Sequence, residues 1–353
     1  MRHTRQIVTT LALLMVVSAA CSDEPTPGEQ EGTPERITLL GHDSFIETAR
    51  VTGSFDAFTQ QTGIEVALVA GGDAGTMVNQ AVLTKDNPIA DVMFGIDDTF
   101  LSRAVDEGVF LPYESPLASV IPGELIAGDQ VVPIDYGDVC INYDKGWFEE
   151  NEVEVPADLD DFRDEAYGRL LTVEHPATSS PGLAFLIATI DTYGEDGWKE
   201  YWADLRRAGV NVVSDWDTAY FGDFTRYGGD SPLVVSYASS PPAEVILAEE
   251  PLETAPTAVL EDGCYRQVEY AGILAGTEWP VTGGQLIDYM LSVEFQETIP
   301  LNWFVFPVRE DATLPDEFVE HTVIPSNPSR LPAEEIAENR ERWIDEWISI
   351  MEG

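Results

Sequence analysis

Short apolar runs alternate with amphipathic stretches along most of this chain. The apolar runs are rich in valine, isoleucine and leucine and end in polar or turn residues, which predicts buried strands. The predicted strands are residues 37–40, 66–70, 92–94, 140–143, 170–173, 210–213 and 233–237. Helical spacing of apolar residues predicts helices at residues 55–61, 76–83, 183–193, 198–207 and 285–291. Strands that alternate with helices predict an α/β fold with largely parallel sheets and helices on both faces.

The length of the chain, 353 residues, predicts two lobes, because a single sheet-centred core stops growing below this size. Two long extended runs, residues 132–143 and 266–273, would suit a chain that leaves the first lobe and later returns to it. Residues 332–351 have the apolar stripe of an amphipathic helix, whose tryptophans we interpret as packing residues. The predicted division is a first lobe over 36–138, a second lobe over 139–265, a return to the first lobe over 266–310, and a C-terminal segment over 311–353 that packs on the second lobe.

The first twenty residues have the character of an export signal. Arg2 and Arg5 precede an apolar run over residues 7–17 and the small residues 18–20, and this run is too short to span a bilayer. A cysteine, Cys21, follows directly, as at the cleavage site of a bacterial lipoprotein, where the thiol is acylated. An ordinary signal peptide with an incidental cysteine is the alternative, because Ser18 stands where such sites usually carry leucine.

A polar tether follows the predicted signal peptide. Residues 21–35 contain no large apolar residue and are rich in proline, glycine and glutamate, so they cannot bury enough surface to order themselves. We therefore expect an exported protein that is held by a lipid at the outer face of the cell membrane, or a periplasmic one.

The charge balance narrows the possible ligands. The chain carries 18 Lys+Arg against 64 Asp+Glu, a formal net charge of −46. Phosphate backbones and anionic lipid surfaces would be repelled, so we expect no nucleic acid and no membrane contact except through a lipid anchor. A cationic small molecule is compatible with such a field.

Two cysteines remain after the predicted anchor, Cys140 and Cys264, and both lie in strand-like contexts. In an oxidising compartment such a pair often forms a disulfide, although two buried thiols are the alternative. If the two long runs cross between the lobes side by side, these cysteines would be neighbours. We expect no metal site, because two cysteines and 4 histidines offer no ligand cluster of recognisable spacing.

Enzyme motifs are not evident. The sequence has no nucleophile elbow and no zinc-protease helix. Asp97 and Asp98 follow an apolar run and could serve as the acid and base of a glycosidase, but adjacent carboxylates are common by chance in so acidic a chain. We therefore expect a protein that is not an enzyme.

Three loops after predicted strands carry candidate binding residues. His42 follows the first strand, and Gly72, Asp73 and Ala74 follow the second, where a helix could begin and offer free backbone N–H groups to an anion. Residues 178–182 precede another helix. There, Ser179 or Ser180 could contact a ligand or simply cap the helix.

Aromatic residues mark three further loops. Trp216 lies between two aspartates, Tyr237 ends an apolar strand, and Trp303 follows a proline in a loop. Aromatic faces hold flat or cationic rings by stacking and cation–π attraction, and nearby carboxylates would neutralise the cation. Together these residues predict a pocket.

The chain resembles the thiamine-binding subunits of bacterial ABC importers. The resemblance is carried along the whole mature chain by HDSF, ADVMFGIDD, VPIDYGDVCINYDK, HPATSSPGL, DWDTAY, LVVSYASSPP, YRQVEYAGIL and IPLNWFVFPV. It implies a type II periplasmic-binding-protein fold, in which two α/β lobes are joined by crossover strands and thiamine lies in the cleft. It also implies that the protein acts as a monomer without a cofactor, captures thiamine or its phosphate esters by hinge closure, and delivers it to permease and ATPase subunits.

The same resemblance assigns roles to individual residues. Trp216, Tyr237 and Trp303 match aromatics that surround the thiamine rings. The hydroxyethyl or phosphate end matches a group of small and polar residues: Gly72, Asp73, Ala74, Ser180 and Gly182.

Two family tyrosines are replaced in this sequence. His42 and Ala243 stand where the family has tyrosine, so one wall of the aromatic cage is missing or is rebuilt by Tyr220. Asp97 and Asp98 resemble carboxylates at the edge of the cleft, and a helix-capping or surface role is the alternative. The alternatives are a polyamine- or iron-binding receptor of the same fold and, in another class, a secreted glycoside hydrolase that uses Asp97 or Asp98.

Overall fold

The structure is a computed structural model that describes residues 32–353. The predicted signal peptide, the predicted lipidation site at Cys21 and most of the tether therefore lie outside the described residues.

Within the described range, ten strands form one continuous sheet, in the order β2-β1-β3-β9-β5-β8-β6-β7, with β4 beside β9 and β10 beside β5. The strands are β1 (Arg36–Gly41), β2 (Glu65–Ala70), β3 (Val92–Asp97), β4 (Phe110–Leu111), β5 (Val132–Asp144), β6 (Leu171–Glu174), β7 (Asn211–Val213), β8 (Leu233–Tyr237), β9 (Thr257–Leu274) and β10 (Phe306–Pro307). Every predicted strand is present; most agree within about three residues at each end, whereas β5 begins earlier than the strand predicted at 140–143 and β9 begins nine residues before the run predicted at 266–273.

Thirteen α-helices cover the sheet in the part of the chain that the structure describes. They are α1 (Asp43–Thr52), α2 (Asp56–Thr62), α3 (Ala74–Leu83), α4 (Leu101–Asp106), α5 (Lys145–Glu150), α6 (Glu165–Gly168), α7 (Ser180–Ala208), α8 (Ser240–Ile246), α9 (Pro280–Met290), α10 (Val293–Gln296), α11 (Ile299–Asn302), α12 (Asp316–His321) and α13 (Ala333–Glu352). The helices predicted at 183–193 and 198–207 are one helix, α7, which is interrupted at Gly194, where φ is 70° and ψ is 175°.

The sheet has a parallel half at each end and two long antiparallel strands between them. Strands β1, β2 and β3 are parallel in one half, and β6, β7 and β8 are parallel in the other. Strands β5 and β9 pair with each other along most of their length, and they also pair with β8 and β3, respectively. This arrangement confirms two α/β lobes joined by crossover strands.

The crossover strands also carry the two cysteines. Val139 on β5 lies opposite Tyr265 on β9, which brings the next residues, Cys140 and Cys264, to a Cα–Cα distance of 4.4 Å. A buried disulfide joins them, and the predicted pairing is confirmed. The bond therefore fastens the two segments that connect the lobes.

The C-terminal helix α13 packs mainly on α7. Trp343 and Trp347 are fully buried, and the Trp347 ring meets the Trp202 ring edge-on at 5.4 Å, which confirms that these tryptophans are packing residues. Helix α13 also reaches α4, where Arg103 forms a 2.9 Å ion pair with Glu341. The last segment thus contacts helices of both lobes, and the predicted lobe boundaries stay a prediction.

Among residues 32–353, no helix has both the length and the apolar character that crossing a membrane requires.

Candidate ligand-binding site

A cavity of about 210 Å³ lies between the two lobes, where the carboxyl ends of several strands face each other. In α/β folds the loops after the strands meet at such an edge, so their side chains converge on one site. The loops after β1, β2 and β7 supply part of the lining, and the start of α7 and the segment after α11 supply more. The cavity is therefore built from segments that are far apart in the sequence.

Many of the residues predicted for the ligand site line this cavity. They are His42, Asp73, Ala74, Ser180, Trp216, Tyr220, Tyr237 and Trp303. Ala243, the position where a family tyrosine is replaced, lines it too. The structure brings these residues together, and their role as ligand contacts stays a prediction.

Trp216 is held in place by a stacked tyrosine and a hydrogen bond. The Tyr220 ring lies 5.1 Å from the indole with an angle of 15° between the planes. Tyr220 belongs to a π-helical turn over Thr218–Asp223, which begins two residues after Trp216. The indole Nε1–H donates to the Ser236 hydroxyl at 2.9 Å. Because both contacts fix the ring, the indole is a preformed wall of the cavity. Tyr220 lies behind Trp216 and extends that wall.

Trp303 is placed by a tight backbone turn. The next residue, Phe304, has φ 54°, a left-handed conformation that non-glycine residues rarely adopt. The indole of Trp303 stacks on Phe45, with ring centroids 4.7 Å apart and 27° between the planes, and its Nε1–H donates to the Phe45 carbonyl at 3.4 Å. The indole also stacks on Phe295, with ring centroids 5.6 Å apart and 27° between the planes, and it lines the cavity from the first lobe.

His42 lines the cavity as a neutral imidazole. Its Nδ1 accepts the Phe45 backbone N–H at 3.3 Å, and its Nε2 lies 3.6 Å from a carboxylate oxygen of Glu269. Burial lowers the pKa of His42 to about 4, so it is uncharged at neutral pH. The ring fits only because Gly95 has no side chain, since a Cβ there would lie 2.4 Å from the imidazole.

Two carboxyl groups that we did not predict lie on the crossover strands. Asp135 on β5 and Glu269 on β9 are direct cross-strand partners, and both line the cavity. Burial raises the pKa of Asp135 to about 7. Burial and the neighbouring Asp135 raise the pKa of Glu269 well above its usual range. The available signal was a single carboxylate within each otherwise apolar crossover run, VPIDYG and QVEYAG.

Three residues predicted for the site, Asp97, Ser179 and Gly182, are not among the residues that line the cavity. Asp97 is fully buried and accepts hydrogen bonds from Thr99 and from the Ser180 hydroxyl, so it joins the lobes below the cavity. Burial and the adjacent Asp98 raise the pKa of Asp97 to about 7. Ser179 is also fully buried, and it is the residue before α7.

Gly182 serves packing. A Cβ at this position would lie 2.4 Å from the Glu174 carbonyl oxygen, so only glycine lets the first turn of α7 approach β6 this closely. Neither Gly182 nor Asp97 reaches the lining of the cavity.

A second recess of about 230 Å³ adjoins the cavity, and Gly72 lines it together with Asp73, Trp216 and the aspartates beside them. The backbone N–H of Gly72 donates to Asp43 at 2.8 Å, and that of Ala74 donates to Asp73 at 2.7 Å. The prediction that this helix start offers free N–H groups to an anion is therefore wrong, because two aspartates of the chain occupy them.

The lobes touch directly beside the recess. The Trp216 backbone N–H donates to Asp73 at 3.2 Å, and the Gly75 N–H donates to the Thr178 carbonyl at 3.0 Å. These bonds join the two lobes directly, so the structure represents a closed arrangement. In the described part of the chain, no group of three or more His, Cys, Asp or Glu side chains could hold a metal ion.

Comparison with known proteins places this architecture in a family. Residues 87–339 match the family described as bacterial extracellular solute-binding protein, and the chain belongs to that family. It is thus an extracytoplasmic solute-binding protein and not an enzyme, which excludes the glycoside hydrolase alternative.

Two of the similar relatives are described as thiamine-binding periplasmic proteins. A thiamine-binding periplasmic protein of Escherichia coli (strain K12) is 31% identical over 292 residues, which cover 82% of this chain and 85% of the relative. A thiamine-binding periplasmic protein of Brucella suis biovar 1 (strain 1330) is 27% identical over 319 residues, 89% of this chain and 92% of the relative.

Solved structures confirm the type II periplasmic-binding-protein fold. A periplasmic thiamin binding protein superposes with a TM-score of 0.80 at 29% identity, covering 90% of this chain and 96% of that one. Iron-bound HitA from Pseudomonas aeruginosa superposes with a TM-score of 0.71 at 18% identity, covering 90% and 99%, and at that identity the likeness concerns the fold alone.

Proposed function

We propose that this protein captures thiamine in the cleft between its lobes and delivers it to an ABC importer. Thiamine is a permanent cation with two flat rings, and the cavity offers both complements. Trp216 and Trp303 supply aromatic faces from opposite lobes, while Asp135 and Glu269 supply acidic groups between them. Aromatic faces attract flat cationic rings, and the attraction grows when water is excluded. The combination of two aromatic side chains with two acidic groups in one cavity is the observation that carries the proposal. The thiamine-binding relatives support it.

Capture works by closure of the lobes. The ligand touches both lobes at once, so it stabilises the closed form relative to the open one. The crossover strands β5 and β9 connect the lobes and are the segments about which a hinge motion would turn. A permease that recognises the closed form would then receive loaded protein in preference to empty protein. No bond is broken and no cofactor takes part.

A titration separates this proposal from the alternatives of the same fold. Purified protein is titrated with thiamine, spermidine and ferric ion while tryptophan emission is followed. We expect quenching by thiamine, because Trp216 and Trp303 line the cavity. A response to spermidine or to iron without a response to thiamine would overturn the assignment and favour a polyamine or an iron receptor.

The anchor and the oligomeric state belong to the same proposal. Acylation of Cys21 would hold a monomer at the outer face of the membrane, with residues 22–35 as the tether. A Cys21→Ser variant is then expected to move from the membrane fraction to the soluble fraction. An unchanged distribution would contradict a lipid anchor and leave thiamine binding untouched.

Thiamine binding is expected to strengthen as the pH rises from about 6 to 8. Burial raises the pKa of Asp135 and of Glu269, and a bound cation lowers both, so binding releases protons. The titratable groups that face this pair are His42, Asp73, Asp97 and Tyr237. His42 is already neutral above pH 6, so the carboxyl groups determine whether affinity rises or falls with pH. The dissociation constant should therefore fall by about three- to tenfold between pH 6 and pH 8.

Fluorescence titrations at several pH values measure this slope. An Asp135→Asn variant is the matched control, because it removes one of the titrating carboxyl groups and should flatten the curve. A wild-type affinity that is constant or that weakens with rising pH would contradict the prediction.

A further inference from the structure

The ionisable residues that line the cavity and the adjoining recess are nearly all acidic. Within residues 32–353, neither space is lined by a lysine or an arginine side chain. Their only basic residue is His42, which burial keeps neutral by lowering its pKa to about 4. The acidic lining residues of the two spaces are Asp43, Asp73, Asp135, Asp215, Asp217 and Glu269. A ligand phosphate would therefore find no cation to pair with.

At the recess, backbone donors do not compensate for the missing cations. Helix starts and turns bind phosphate through backbone N–H groups when those groups are free. Here carboxylates of the chain itself accept them: Asp43 takes the Gly72 N–H, and Asp73 takes the N–H groups of Ala74 and Trp216. On the far side of the recess, Asp215 accepts the Thr218 N–H at 2.8 Å. A phosphate would have to displace a carboxylate that remains beside it.

The carboxyl groups of the recess are not equally acidic, because burial raises the pKa of Asp73 above its usual range and that of Asp217 to about 6. Although partial burial opposes it, hydrogen bonds from Ser214 and Thr218 lower the pKa of Asp215, so this group is ionised at neutral pH. At the other end of the cavity, the first turn of α7 could attract an anion, but the Ser180 hydroxyl there donates to the buried Asp97. The start of α7 thus already faces a carboxyl group of the chain.

We propose that this cleft selects thiamine with a free hydroxyethyl group and rejects the phosphate esters of thiamine. The inference rests on the proposed function and deepens it. It places the repulsion at the recess, where no lysine or arginine is among the described lining residues. It also implies a step before capture: a phosphate ester outside the cell must be hydrolysed by a phosphomonoesterase-type reaction before this protein can take up the vitamin.

Isothermal titration of the full mature chain with thiamine and with thiamine monophosphate tests the inference. We expect the monophosphate to bind about tenfold more weakly or worse, because its added charges lie beside unscreened carboxylates. The gap should narrow at high salt, which screens the partly exposed part of that repulsion.

A double variant locates the effect. Asp215→Asn with Asp217→Asn keeps an oxygen acceptor at each position and removes two negative charges from the recess. The affinity for the monophosphate should rise by about three- to tenfold, while thiamine should lose less than that. Asp196→Asn is the matched control, since Asp196 is exposed on α7 and lines neither space. This control should leave the ratio of the two affinities unchanged.

The possible results separate the two proposals. Wild-type protein that binds thiamine and its monophosphate equally, or the monophosphate more tightly, overturns the inference and leaves the proposed function standing. A preference for thiamine that the double variant does not reduce also overturns it, because the recess would then not be its cause. Failure of the wild-type protein to bind thiamine at all overturns the proposed function instead.

Discussion

Replacing the two crossover cysteines by alanine is expected to lower the free energy of unfolding by about 2–5 kcal/mol. The disulfide links residues that are 124 positions apart, so its loss frees a long loop in the unfolded chain and stabilises the unfolded state. The Cys140→Ala, Cys264→Ala double variant and the wild-type protein are compared by urea denaturation without reductant. The midpoint should move to lower urea in the variant.

Reductant supplies the internal control for this experiment. Adding it should lower the stability of the wild-type protein toward that of the double variant, whereas the variant should not respond. Equal unfolding free energies of the oxidised wild type and the variant would contradict a stabilising role for the bond between Cys140 and Cys264.

Truncating Trp216 is expected to weaken thiamine binding by about 1–3 kcal/mol, which corresponds to a loss of affinity of roughly fivefold to 150-fold. The indole lines the cavity, and Tyr220 and Ser236 hold it in place before any ligand arrives. Its removal therefore takes away a preorganised stacking surface. The dissociation constants of wild type, Trp216→Ala and Trp216→Phe are measured by calorimetry, and phenylalanine should restore part of the loss.

Trp279 offers a matched control, because it is half-buried and lies at the start of α9, outside the cavity. A Trp279→Ala variant should bind thiamine like the wild type. If Trp216→Ala keeps full affinity and only melts at a lower temperature, Trp216 is a packing residue and the proposed cage is wrong.

Much of the fold could be predicted from local pattern. Strands such as Leu233–Tyr237 are apolar runs with clear ends, and the structure reproduces them. Strand β9 was predicted too short because Asp262 and Gly263 have the pattern of a turn. In the structure Gly263 has φ 74° and the strand continues through an irregularity, since β5 lies alongside and supplies hydrogen-bond partners on both sides of it. Pairing with a distant strand overrode the local turn signal.

Helix α7 is a second element in which distant contacts override the local sequence signal. Gly194 separates two stretches of helical periodicity and predicts a break. The helix nevertheless resumes in the same element, and Trp198 and Trp202 beyond the glycine are fully buried. Burial of those two large side chains decides the course of the chain there, and no residue next to Gly194 in the sequence reveals it.

The sequence by itself determined the alternation of strands and helices, the crossover cysteines and the aromatic residues that meet in the cleft. These follow from the spacing and chemistry of residues that are close together in the chain. Only the tertiary structure decided that Asp135 faces Glu269, that Asp97 is buried behind the wall, and that aspartates occupy the N–H groups at the start of α3. Hydrogen-bond partners and loss of solvent depend on segments that are distant in sequence, so the charge and selectivity of the cleft arise from packing.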